Sequence, residues 1–130
     1  CPDRPETDGE DAGTVDTERR QVLMSSVMQV QTTLPDRQTA LDIGRELVEN
    51  GPAACFQIAG PITSIYRWQG EFMGEREWIC LIKVAPKAHT DLVAMLRRLH
   101  PYEVPEILAQ ECAAEPDYLD WVDRGSETRS

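Results

Sequence analysis

Ala53-Ala54-Cys55-Phe56-Gln57-Ile58-Ala59-Gly60-Pro61-Ile62-Thr63-Ser64-Ile65-Tyr66-Arg67-Trp68-Gln69 is followed closely by Glu77-Trp78-Ile79-Cys80-Leu81-Ile82-Lys83-Val84. Both runs are rich in β-branched and aromatic residues, and neither carries a helical period. Gly60-Pro61 inside the first predicts a bulge or bend rather than an end. Gln69-Gly70-Glu71 predicts a turn, and a further turn is predicted at Met73-Gly74-Glu75. Two strands meeting with no helix between them pair antiparallel.

Upstream, Val22 to Thr32 is a mostly apolar run that predicts a strand. Thr33-Leu34-Pro35-Asp36 then opens a helix, with Thr33 as N-cap and Pro35 in the first turn. Ala40, Ile43, Gly44, Leu47 and Val48 form its apolar stripe, and Asn50-Gly51-Pro52 ends it. Downstream, Pro86 to Leu99 predicts a second helix with Leu92, Met95, Leu96 and Leu99 on one side. A fourth strand follows over residues 106–112. Glu115-Pro116-Asp117 opens a short third helix with Tyr118, Leu119, Trp121 and Val122 on its apolar side.

The order β-α-β-β-α-β-α predicts an α+β fold, a ferredoxin-like βαββαβ split sheet with an additional C-terminal helix. Two helices cover one sheet face. The other face is left without a helix while its strands read as apolar, so the sequence predicts burial against further copies of the chain. The expected organisation is a disordered acidic tail over 1–20, one domain over 21–124 and a polar C-terminal tail over 125–130.

The net charge is −10 over 130 residues. Seven acids and three bases fall within residues 1–21. With no basic stripe, the chain would repel phosphate, which argues against nucleic acid as a partner. No run of about 18 apolar residues is present, so no membrane-spanning helix is predicted. Cys1 rather than Met opens the sequence, which leaves room for a targeting segment upstream. Cys1, Cys55, Cys80 and Cys112 include no CxxC pair, and the last three sit in apolar or strand-like runs. Buried, inert thiols and a reducing, cytoplasmic setting are expected.

The stiffest polar stretch is His100-Pro101-Tyr102-Glu103-Val104-Pro105-Glu106. Its two prolines restrict their own φ and the residues before them. One reading is a rigid connection that ends a helix and aims the next strand. The other is a site in which His100, Glu103 and Glu106 supply one nitrogen and two oxygens to Cu(II) or Zn(II), with water or a neighbouring subunit completing the shell. His89 reads as a solvated helix histidine. Tyr66, Trp68, Tyr102 and Trp121 read as interface aromatics or as walls of a pocket for a small anionic ligand beside Lys83, for which Glu103 is the expected partner. Neither a Gly-rich phosphate loop nor a Ser-centred elbow is present, so no enzyme is predicted.

Thr32-Thr33-Leu34-Pro35-Asp36, Ala53-Ala54-Cys55, Ser64-Ile65-Tyr66-Arg67-Trp68-Gln69-Gly70, Leu81-Ile82-Lys83, the His100–Glu106 segment and Tyr118-Leu119-Asp120-Trp121 together resemble the CutA family of divalent-cation tolerance proteins. The resemblance spans about residues 22–124. It implies the ferredoxin-like fold, a homotrimer with sheets extended between subunits, and a non-catalytic role in the response to metal ions. Divalent metal, copper foremost, is the implied cofactor. It also implies two alternatives: a PII-like small-molecule sensor, and a scaffold that anchors a protein. Thr32 stands where some members carry a metal-binding Cys, which removes a soft thiolate from the ligand set.

Overall fold

The computed structural model describes residues 26–127. The expected acidic tail and the predicted strand's first residues, 22–25, lie outside them. Four strands form one antiparallel sheet in the order β2-β3-β1-β4. They are β1 (Ser26–Leu34), β2 (Cys55–Trp68), β3 (Glu71–Val84) and β4 (Leu108–Ala113). The helices are α1 (Arg37–Glu49), α2 (His89–Leu99) and α3 (Pro116–Gly125), with a 3-10 turn at Pro86–Ala88 before α2. The split βαββαβ arrangement with an added C-terminal helix is therefore the fold.

One face of β1 follows strict alternation. Met28, Val30, Thr32 and Leu34 pair with Val84, Ile82, Cys80 and Trp78 of β3. This side packs on Ala40, Ile43 and Leu47 of α1 and on Leu92 and Leu96 of α2 to form the main core. Leu34, Leu47, Ile82, Leu92 and Leu96 are fully buried. Each such side chain contributes about 1.5–3 kcal/mol by leaving water. Gly44 of α1 is required by close approach, because a Cβ there would stand 2.6 Å from the Phe56 ring.

Several boundaries differ from expectation for local reasons. Thr33 is not the N-cap. It still pairs with Ile79 inside β1. Asp36 caps α1 instead, its Oδ1 accepting the Thr39 N–H at 2.7 Å. The predicted turn at Met73-Gly74-Glu75 is absent, since these residues pair with Tyr66, Ile65 and Ser64 in β3. The Gln69-Gly70 turn is present, with φ of 49° and 82°. Positive φ at both central residues is the two-residue hairpin geometry that matches strand twist. The irregularity at Gly60-Pro61 is also present, as a register shift between Ala59 and Ile62. Gly125 and Ser126, expected in a polar tail, belong to the fold: Ser126 is buried and its Oγ accepts the Ala85 N–H at 2.8 Å.

The second sheet face is neither bare nor uniformly apolar. At one end α3 packs Val122 on Val27 and Ala85. In its middle, Gln29 lies between Lys83 and Gln110, and Gln31 between Leu81 and Leu108. This glutamine band corrects the expectation of a hydrophobic second face. Beyond it, β2 and β3 run on past β1. The last β1–β3 pair is Leu34 with Trp78, whereas β2 and β3 stay paired from Ile62–Glu77 to Trp68–Glu71. The result is a two-stranded arm without a third strand among the described residues. Among the described residues no helix is long and apolar enough to cross a membrane.

Candidate functional site

A cleft of about 780 Å³ opens where the arm meets the His100–Glu106 segment. Ser64, Ile65, Tyr66, Trp68, Met73, Glu75 and Glu77 line it from the arm, Thr33 from β1, and Pro101 to Val104 with Glu106 from the segment. Strand alternation explains most of the arm's contribution. Ser64 pairs with Glu75, Tyr66 with Met73 and Ile62 with Glu77, so these side chains share a face. Four carboxylates, Glu75, Glu77, Glu103 and Glu106, border the cleft, and among the described residues no Lys, Arg or His does.

Two of the four carboxylates are held by hydrogen bonds. Tyr102 donates its phenol to Glu77 Oε2 at 2.8 Å. Gln31 Nε2 donates to Glu106 Oε2 at 3.1 Å. The Glu75 carboxylate beside the Tyr66 phenol raises the Tyr66 pKa. Burial first, and the Glu77 bond second, raise that of Tyr102 well above an ordinary phenol. Glu103 makes no hydrogen bond among the described residues and stays exposed.

His100 stands behind this wall rather than in it. The side chain is buried. Its Nε2 lies 3.0 Å from the Thr33 carbonyl and 2.9 Å from Thr32 Oγ1. Its Nδ1 accepts the Tyr102 N–H at 3.2 Å. A carbonyl can only accept and an N–H only donate, so the ring carries its proton on Nε2. Burial holds its pKa below the usual imidazole value, opposed by the Thr33 carbonyl and the Glu77 charge. The ring also packs on Tyr102, centroids 5.0 Å apart. Thr32 thus serves to seat His100.

Of the residues singled out from sequence, the structure brings Tyr66, Trp68, Tyr102, Glu103 and Glu106 to the cleft. Lys83 lies elsewhere and bonds Gln57, its diagonal cross-strand neighbour, rather than Glu103. Trp121 stacks on Tyr118 along α3, centroids 5.7 Å apart. His89 is half-buried at the start of α2, not solvated, and its Nδ1 has no partner among the described residues. Cys80 is buried, its thiol pKa pushed up to about 11 by burial, while Cys55 and Cys112 are half-buried. Glu75 and Glu77 were not anticipated as site residues. Their signal was the alternation Met73, Glu75, Glu77, in phase with Ile79 and Leu81. No three His, Cys, Asp or Glu side chains among the described residues form a metal-ligating group.

Residues 28–125 match the family described as CutA1 divalent ion tolerance protein. The chain belongs to the CutA1 family. The CutA divalent-cation tolerance protein of Thermus thermophilus is 43% identical over 94 residues, covering 72% of this chain and 91% of that protein. Mouse protein CutA is 36% identical over 106 residues, covering 81% of this chain and 60% of the mouse protein. The solved CutA1 structure from Thermus thermophilus superposes with a TM-score of 0.73 at 39% identity, over 78% of this chain and 99% of that one. A structure described as PII-like protein CutA from Nostoc, in apo form, superposes with a TM-score of 0.73 at 32% identity, over 78% and 99%. CutA1 membership accounts for the split sheet and ties the chain to divalent-cation tolerance.

Proposed function

We propose that this CutA1 protein acts in the response to metal ions as a non-catalytic, cytoplasmic homotrimer that takes a divalent cation, copper foremost, at the cleft. The observation that carries this is the sign of the lining: four carboxylates and no basic side chain among the described residues. A site so bordered lowers the energy of a cation and raises that of an anion. His100, Glu103 and Glu106 are the proposed ligands. One chain supplies too few donors in one place, so a neighbouring subunit completes the shell. The Nδ1 of His100 becomes a ligand only if the Tyr102 N–H is displaced from it.

Calorimetric titration of Cu(II), with Zn(II) as control, tests this. A stoichiometric isotherm is expected for the wild type. It should be lost in His100→Ala and in the Glu103→Gln, Glu106→Gln double variant, with the size of the assembly unchanged. Shallow binding identical in all three proteins refutes the assignment.

A second reading, a small-molecule sensor, is favoured by the rings of Tyr66, Trp68 and Tyr102 around the same cleft. Metal ligation has no use for aromatic walls, whereas organic ligands do. The Nostoc neighbour's description as PII-like agrees with it.

A further inference from the structure

From the pairing of acidic and aromatic side chains around one opening, we infer that the cleft binds a small organic ammonium ion. The inference rests on the second reading above and names its ligand class.

Size, sign and wall chemistry each narrow the choice. At about 780 Å³ the cleft falls within the range of about 300–1,000 Å³ that holds small organic ligands. A bare divalent ion draws its ligands to about 2.0–2.6 Å and leaves such a volume unfilled. Two of the carboxylates, Glu77 and Glu106, are also already engaged by hydrogen bonds. Glu77 holds the Tyr102 phenol, Glu106 holds the Gln31 amide, and no three acidic or His/Cys side chains among the described residues gather as a metal group. Within one chain their field is negative without being a chelate. An anion is disfavoured by that field, and a neutral ligand makes no use of it.

The walls supply the remaining selectivity. Trp68, Tyr66 and Tyr102 present π systems, of which Trp is the strongest partner for a cation. An alkylated ammonium is weakly hydrated and large, so it gains from aromatic contact more than a compact, strongly hydrated metal ion does. Glu103, exposed and without a hydrogen bond among the described residues, is the carboxylate able to turn toward such a charge. In this arrangement Trp68 and Tyr66 contact the alkyl groups, and Glu75 and Glu103 balance the charge.

The test uses the full chain in its native assembly with choline as probe, citrate as anionic probe and inositol as neutral probe, followed by calorimetry. Saturable choline binding is expected. It should weaken on the order of tenfold in Trp68→Leu and in Glu103→Gln. Glu49→Gln on the exposed side of α1 removes the same charge away from the cleft and should leave binding unchanged. Glu103 lies in an exposed segment, so its variant remains informative if Trp68→Leu fails to fold. Binding of citrate or inositol without choline overturns the ammonium assignment and leaves the small-molecule reading standing. Equal weakening by Glu49→Gln shows diffuse attraction to an acidic protein and overturns the assignment too. Failure of all three probes removes both.

Discussion

The phenol of Tyr102 donates to Oε2 of Glu77 at 2.8 Å and ties the His100–Glu106 segment to the arm. Glu77 is only 7% exposed. Tyr102→Phe therefore leaves a buried carboxylate without its donor, a loss of about 1–3 kcal/mol. Denaturant unfolding at one fixed protein concentration reads this directly. Adding Glu77→Leu to Tyr102→Phe removes the orphaned charge and should recover part of the loss. A double-mutant cycle with no coupling would mean that the bond does not hold the segment to the arm.

His100 makes stability depend on pH in a set direction. Burial lowers its folded pKa below the usual 6.5. The unfolded chain then binds a proton that the folded chain resists, so stability falls with acidity. The contribution is complete above the unfolded pKa, and is lost as pH drops through about 6.5 toward the folded value. Protonation at Nδ1 would also set an N–H against the Tyr102 N–H. Unfolding free energies between about pH 7.5 and 5 should decline more steeply in the wild type than in His100→Gln. Equal slopes would show that the ring titrates freely.

The Ser126 hydroxyl is the acceptor for the Ala85 N–H at 2.8 Å, joining the end of α3 to the end of β3. Both residues are buried. Ser126→Ala strands that N–H and should cost about 1–3 kcal/mol, with Ser126→Thr closer to wild type. Hydrogen exchange at Ala85 is the local readout. Unchanged protection in Ser126→Ala would assign the link no weight.

The two main helices and the core strands were legible because each keeps one period over its length. Leu92 and Leu96 recur at helical spacing, and Met28 and Val30 alternate with Gln29 and Gln31. The ends were harder to place. Thr33 has the chemistry of an N-cap, yet pairing with Ile79 holds it in β1, and the cap passes to Asp36. Gly74 suggested a turn, but opposite Ile65 it is an ordinary strand position with open space around it. That misreading hid Glu75 and obscured its phase with Glu77. The cleft itself was only half visible. Tyr66, Trp68, Tyr102, Glu103 and Glu106 stand out as residue types, but which of them share a face depends on the register of β2 against β3. Nothing local in the sequence marks Lys83 as Gln57's partner for the same reason.

The outer face of the arm leads to the test of assembly. Phe72 is 74% exposed and Ile65 66% exposed, on strands that have run past β1. By strand alternation they lie on the side opposite Tyr66, Met73 and Glu75, with Ile65 also reaching the cleft's border, and neither joins the main core. Large apolar side chains on an unsupported hairpin stay soluble when another chain covers them. In the proposed homotrimer these two residues lie at a subunit boundary. Phe72→Glu places a charge there that assembly must desolvate, which costs several kcal/mol per contact. Light scattering should then move from a trimer toward the mass of one 14.7 kDa chain. Phe72→Leu should preserve the assembly, and Gln38→Glu, on exposed α1, serves as the charge control. A Phe72→Glu protein that keeps the wild-type mass, with an intact far-UV spectrum, would place the interface elsewhere on the sheet.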